Sequence, residues 1–348
     1  MHKLILNVMI LFLLISPQYN YAQKTTRQLS IYQLNIWQEG TIVKNGYEGI
    51  VNEVIHKNPD ILILSEVRNY NGVDFVQKLL KSLKDKNLNY YGISNHEKLD
   101  VAIVSKYPIT KQETLYPADK KIASVLKTYI NIGEKSFLFY GVHLDYTNYA
   151  CYLPRGYDGV TWKKLPHKIT DNNFILEANR KSKRDEAITD IIRDIEHENK
   201  NQTIIIAGDF NEPSHLDWTK ATKDLYDHNG TVIPWDCSVL LHKAGFTDTY
   251  RKKYPNPVTH PGFTFAAYNK DVELSKLVWA PDADDRDRID YIYYKSGNKV
   301  SLSTIDIVGP TETIRYGQEF KNDSRDHFIL PHSIWPTDHK GLFATFKW

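Results

Sequence analysis

Cysteine is nearly missing from this sequence: 348 residues hold two, Cys151 and Cys237. That excludes a cysteine-rich zinc site and a small domain stapled by several disulfides, and it leaves at most one bridge. A strong charge of either sign is missing too. With 44 Lys and Arg against 42 Asp and Glu, the net charge of +2 makes no global demand for a polyanionic partner, although a local basic patch can hide within a neutral total. No low-complexity tract, internal repeat or linker divides the chain, and 41% hydrophobic with 25% charged residues is a globular composition. The longest apolar run, Leu4 to Ile15, is too short and too poorly flanked to span a bilayer. Followed by Ser16-Pro17 and Tyr21-Ala22-Gln23, it reads as a secretory signal over residues 1–22. The expectation is one domain over residues 23–348, secreted or periplasmic, without a stable membrane anchor.

What is present is a series of apolar strands that run into polar residues. Ile204-Ile205-Ile206-Ala207 leads into Gly208-Asp209-Phe210-Asn211, and Asp209 and Asn211, two apart, share one side of an extended chain. A turn explains an Asp and an Asn at one such place equally well. The pattern recurs, however. Asn35 follows Leu29 to Leu34, Glu66 closes Ile61 to Ser65, His143 closes Phe137 to Val142, Asp290 lies within Arg288-Ile289-Asp290-Tyr291, and Asp338-His339 precedes the last strand.

Taken in order, Asn35, Glu66, His143, Gly-Asp-Phe-Asn, Arg-Ile-Asp-Tyr and Asp-His resemble the motifs of the endonuclease/exonuclease/phosphatase superfamily, and the resemblance spans nearly all of residues 23–348. This is the fold of DNase I, exonuclease III, inositol polyphosphate 5-phosphatases and neutral sphingomyelinases. It implies an α+β protein: a two-layer β-sandwich flanked by helices, the DNase I-like four-layer α/β/β/α arrangement. It also implies hydrolysis of a phosphate ester with a hard divalent cation, Mg²⁺ or Mn²⁺, which suits an oxygen-rich donor set. By the same resemblance Glu66 holds the metal with Asn35 and Asp338 beside it. Asp209 orients or activates the water, Asn211 fixes the phosphate, and His339, partnered by Asp290, stabilises the reacting phosphorus or protonates the leaving group. His143 is a second donor to the phosphate oxygens, and Arg184 stands where relatives often carry a substrate-side Arg.

Family membership leaves the substrate open among nucleic acids, lipid headgroups and sugar phosphates. The Asp287-Arg288-Ile289-Asp290 run lacks the Trp-Cys that precedes it in inositol phosphatases. An inactive binding module is disfavoured, because the whole polar set is intact. A monomer is expected.

The remaining chain reads as scaffold with one exception. Helices are expected over Tyr47 to Lys57, Asp74 to Lys86 and Arg180 to about His197, and a hairpin over Ser124 to Val142 around Gly133. The exception is Tyr146 to Glu177, a long irregular segment rich in Tyr and Trp, whose Tyr146 and Trp162 are expected to face substrate. The loops Gly245 to Tyr250 and Pro261 to Phe265 are expected at the same edge, Pro281 to Arg288 reads as a solvated loop, and Cys151 and Cys237 are free to pair.

Overall fold

The computed structural model describes residues 27–94, 99–115, 124–297 and 299–348, so the proposed signal segment lies outside the described residues. The chain opens with β1 (Gln28–Asn35), β2 (Ile61–Ser65), β3 (Tyr91–Gly92) and β4 (Val101–Ser105). Next come β5 (Ile109–Thr114), β6 (Ser124–Ile132), β7 (Lys135–His143), β8 (Thr203–Asp209), β9 (Thr247–Asp248) and β10 (Asp290–Lys295). It closes with β11 (Ser301–Val308), a side hairpin of β12 (Thr313–Arg315) and β13 (Gln318–Phe320), β14 (Phe328–Ile329) and β15 (Gly341–Lys347). One sheet has the order β14-β11-β15-β1-β2-β4-β3 and the other β5-β6-β7-β8-β10-β9.

Side-chain alternation explains why these two sheets stack. Leu29 and Ile31, Ile61 and Ile63, and Val101 and Ile103 pack against Phe137, Phe139, Ile205, Ala207 and Ile292 in the layer between the sheets. The opposite face of the first sheet, with Tyr32, Leu34, Leu62 and Leu64, is covered by α1 (Gly46–Lys57) and α2 (Phe75–Lys84). The opposite face of the second, with Leu138, Tyr140, Ile204 and Ile206, is covered by α4 (Arg184–Ile195) and α5 (Asp236–Lys243), which follow α3 (Asn172–Asn179) in the chain. A short α6 (Thr249–Lys253) completes the set. This is the four-layer α/β/β/α sandwich.

The same period-2 alternation builds the site. Along the inward face of β1 the order is Leu29, Ile31, Gln33, Asn35, and on β7 it is Phe137, Phe139, Gly141, His143. On β8 it is Thr203, Ile205, Ala207, Asp209. The sandwich is thus apolar through most of its length and turns polar at one end, where both sheets finish together.

Several expectations need correction. The helix expected from Arg180 starts at Arg184, and a separate α3, with Asp171 accepting from the Phe174 N–H as its N-cap, occupies 172–179, so the irregular segment is shorter than expected. Tyr149, Cys151, Tyr152 and Tyr157 are buried with Trp218, Trp235 and Ile289 in a satellite core. The loop before β10 is not solvated: Asp284, Asp285, Arg286, Asp287 and Arg288 are all buried, satisfied largely by one another and by Arg155 and Asp217. Cys151 and Cys237 are both free and lie in different core clusters, so no bridge joins them.

Candidate active site

Register places the catalytic row. β7 runs parallel to β8 with His143 opposite Asp209, and β10 runs antiparallel to β8 with Asp290 opposite Asp209, so His143, Asp209 and Asp290 stand side by side. Gly208 permits this close pairing: its φ of +148° is one that side chains rarely adopt, and a Cβ there would lie 1.8 Å from the Val142 carbonyl oxygen. From the facing sheet, Asn35 donates to Asp209 Oδ2 at 3.0 Å and Gln33 donates to Asp290 Oδ1 at 2.9 Å. Ser65 donates to the Val142 carbonyl at 3.1 Å, tying the sheets together beneath.

Two histidines flank Asp209, each steered by its own carboxylate. His339 Nδ1 lies 2.9 Å from Asp290 Oδ2, and its Nε2 lies 3.8 Å from Asp209 Oδ2. His143 Nδ1 lies 2.7 Å from Asp100 Oδ2, and its Nε2 lies 3.9 Å from the same Asp209 oxygen. Burial opposes the charge on both rings, yet the partner carboxylates outweigh it, pushing His143 up to about 9 and His339 up to about 10. Burial in turn, with the charge of Asp290, raises Asp209 to about 6 against the pull of both rings. Asp100 was not recognised from the sequence; an acidic residue directly before a fully buried apolar strand was the available signal.

Glu66 is turned back toward this row by its left-handed φ of 67°, just past β2. Its carboxylate accepts from the Gln38 N–H at 2.9 Å, from Asn35 Nδ2 at 3.2 Å and from Arg68 at 3.3 Å. Glu39 anchors the same loop by accepting from the Arg68 and Asn69 N–H groups. Asp338 is buried and held up to about 7, chiefly by burial, with the charges of Glu66 and Asp209 adding to it. A hard divalent cation beside Asp338 and Glu66 would offset the negative charge that raises Asp338. The Asn35 amide donates to both Glu66 and Asp209 while its oxygen accepts from the Trp37 N–H at 2.9 Å with a lone pair to spare, so Asn35 holds the two carboxylates in place at the position expected for a ligand. Asp209, Asp290 and His339 also converge within 4.8 Å, but both Asp290 oxygens already accept internal hydrogen bonds, which fits an orienting role better than a ligating one.

Asn211 borders the cleft with its amide donating to the Leu144 carbonyl at 2.9 Å and its N–H donating to Asp209. Arg184 is corrected outright. It is fully buried, donates to the carbonyls of Asp145, Thr147 and Asn148 and to Asn179, and lies 3.6 Å from buried Glu212. It shapes the loop after β7 and cannot touch substrate. Tyr146 and Trp162 do border the cleft, which holds about 320 Å³, as do Phe265 and a residue not singled out in the sequence, Trp279. Gly245 to Tyr250 lies elsewhere.

A polar end of a two-sheet sandwich carrying paired His and Asp groups defines a phosphoesterase-type scaffold, and the sequence agrees. The chain belongs to the Endonuclease/Exonuclease/phosphatase family, whose sequence model matches residues 33–339. Members of this family act on phosphate esters and use divalent metals. An uncharacterized Caenorhabditis elegans protein, F14F9.5, is 30% identical over 354 residues, covering 97% of this chain and 98% of that protein. Among solved structures, D. rerio TDP2 complexed with single strand DNA product is similar at TM-score 0.51 and 16% identity, covering 92% of this chain and 98% of that one. A family protein from Leptotrichia buccalis gives TM-score 0.51 at 15% identity over 92% and 100% of the two chains. These likenesses concern the fold.

Proposed function

We propose that this protein is a divalent-cation-dependent phosphoesterase that hydrolyses its substrate by in-line attack of water. The observation that carries the reading is the pair of imidazoles, each oriented by its own Asp, 3.8 and 3.9 Å from one oxygen of Asp209. Glu66 and Asp338 would hold Mg²⁺ or Mn²⁺, which when bound neutralises charge on the phosphoryl oxygens. Asp209 orients the attacking water and takes its proton as the new P–O bond forms. His339, kept protonated and oriented by Asp290 at its Nδ1, donates its Nε2 proton to the departing ester oxygen as the old P–O bond breaks. His143, set by Asp100, hydrogen-bonds a non-bridging phosphate oxygen, and the Asn211 amide supports the same group. The sequence of residues 1–22 supports an exported location for this activity.

The test is a screen of the purified protein with Mg²⁺ or Mn²⁺ against bis-p-nitrophenyl phosphate, p-nitrophenyl phosphate, nucleic acids and phospholipids. DNA enters the screen early because the D. rerio relative is seen with a DNA product. Cation-dependent turnover that disappears in Glu66→Gln, with an unchanged melting profile without metal, supports the reading. Turnover equal in Glu66→Gln and the parent overturns it.

A further inference from the structure

The catalytic groups occupy one side of the cleft, and the other side is aromatic. Trp162 and Trp279 arrive from segments more than a hundred residues apart, and their rings meet at 5.2 Å. Tyr152 stands perpendicular to Trp162 at 5.3 Å, and Tyr149 lies at 5.9 Å. The two tyrosines are packed into the satellite core and fix the wall from behind. Trp279 projects outward, 43% exposed, a large cost in apolar area for a residue with no packing duty on that face. Tyr152 borders the cleft yet is only 1% exposed, so it backs the wall and leaves the outer face to the two tryptophans.

Charge on the cleft points to the size of that ligand. Among the described residues lining it, Arg68 alone is Lys or Arg, and its guanidinium is drawn to Glu66 at 3.3 Å and Asp100 at 3.8 Å. Arg155, Arg184, Arg251 and Arg288 are buried in internal pairs and reach no ligand. A polynucleotide needs a track of cations to offset successive phosphates, and the described residues of this cleft supply none. A single phosphate carrying one flat ring needs only the catalytic side for its charge and the aromatic side for its ring.

Resting on the phosphoesterase reading, we propose that Trp279 and Trp162 form a ring-stacking subsite, held from behind by Tyr152, and that the substrate is a small phosphoester bearing a nucleobase-like ring. Stacking on such a surface contributes on the order of 1–3 kcal/mol per base, about 5- to 150-fold in affinity.

The experiment compares methyl p-nitrophenyl phosphate with thymidine 5′-(p-nitrophenyl phosphate), which share the leaving group and differ in the ring. The parent should favour the nucleoside ester by about 5-fold or more in kcat/KM. Trp279→Ala, at an exposed position where folding is not at risk, should lose that preference through KM, leave kcat and the methyl ester unchanged, and regain most of it as Trp279→Phe. Thymidine 5′-monophosphate in EDTA should quench tryptophan fluorescence in the parent far more than in Trp279→Ala. A single-stranded oligothymidylate should gain nothing over the small ester and show little salt dependence. Equal use of both esters without quenching overturns the subsite while the phosphoesterase reading stands. Quenching with no hydrolysis of either ester or of p-nitrophenyl phosphate overturns the phosphoesterase reading and leaves the subsite. A strong, salt-sensitive preference for the oligomer overturns the small-substrate claim.

Discussion

Replacing Asp287 by Asn should unfold the aromatic side of the cleft before it harms the catalytic side. Arg155, fully buried, forks onto the two Asp287 oxygens, with Nη2 3.0 Å from Oδ1, and donates to the Arg286 carbonyl at 3.1 Å. Its guanidinium lies 5.4 Å from the Tyr152 ring and 5.7 Å from Trp218, so the pair clamps the segment after β7 to the chain entering β10. Removing one charge leaves the other buried and unmatched, which costs roughly 3–5 kcal/mol. At about 2–4 °C per kcal/mol for a large domain, Tm should fall by roughly 6–20 °C. Replacing both, as Arg155→Met with Asp287→Leu, removes the desolvation cost together with the attraction and should lose far less than the sum of the single losses. Urea unfolding followed by tryptophan fluorescence measures all three variants, and KM for a ring-bearing ester should rise in Asp287→Asn more than kcat falls. Single losses under about 1 kcal/mol, or a double loss equal to the sum, would refute this account of the clamp.

Three further outcomes follow from the geometry. In Asp100→Asn the carboxylate that lifts His143 to about 9 is gone, so the ring should lose its proton at lower pH and the alkaline limb of kcat should move downward; an unmoved limb in a pH–rate profile removes His143 from the chemistry. Arg184→Met should lower Tm by several degrees and depress turnover of large and small esters alike, because Arg184 holds three loop carbonyls; a selective rise in KM for the larger ester would restore it to the substrate. Burial and the nearby charge of Arg155 hold His228 well below its ordinary value, stacked 3.7 Å over Trp218. The unfolded chain takes up this proton below about pH 6.5 while the folded chain does not, so stability falls as pH drops through that value, and His228→Phe should flatten the slope in urea midpoints between pH 7 and 5.

The strands and their polar ends were legible because one rule, alternation on a pleated chain, writes both. Leu29, Ile31, Gln33 and Asn35 state the buried face and the site in one reading, and the hairpin Ser124 to His143 appears almost as expected. Arg184 was misplaced because a helix-start arginine looks alike whether it reaches outward for phosphate or inward for carbonyls; only the path of residues 145–148 decides it. Pro281 to Arg288 looked solvated because charge in sequence carries no trace of a partner such as Arg155, over a hundred residues away. Trp279 was invisible for a related reason: its neighbour Trp162 is set by packing between distant segments, which no local pattern records.

The strand order has a bearing on when the molecule can first act. β15, made of residues 341–347, is not an edge addition but sits between β11 and β1, and Asp338 and His339 are fixed only when it docks. The first strand of the described chain therefore waits for the last, and a nascent chain holding every other residue of the polar end still lacks Asp338 and His339 in place. The cleft is completed in one late event. Under the proposed mechanism the chain is inert throughout its own synthesis, and activity regained on refolding reports the closure of the first sheet more faithfully than any spectroscopic measure of secondary structure.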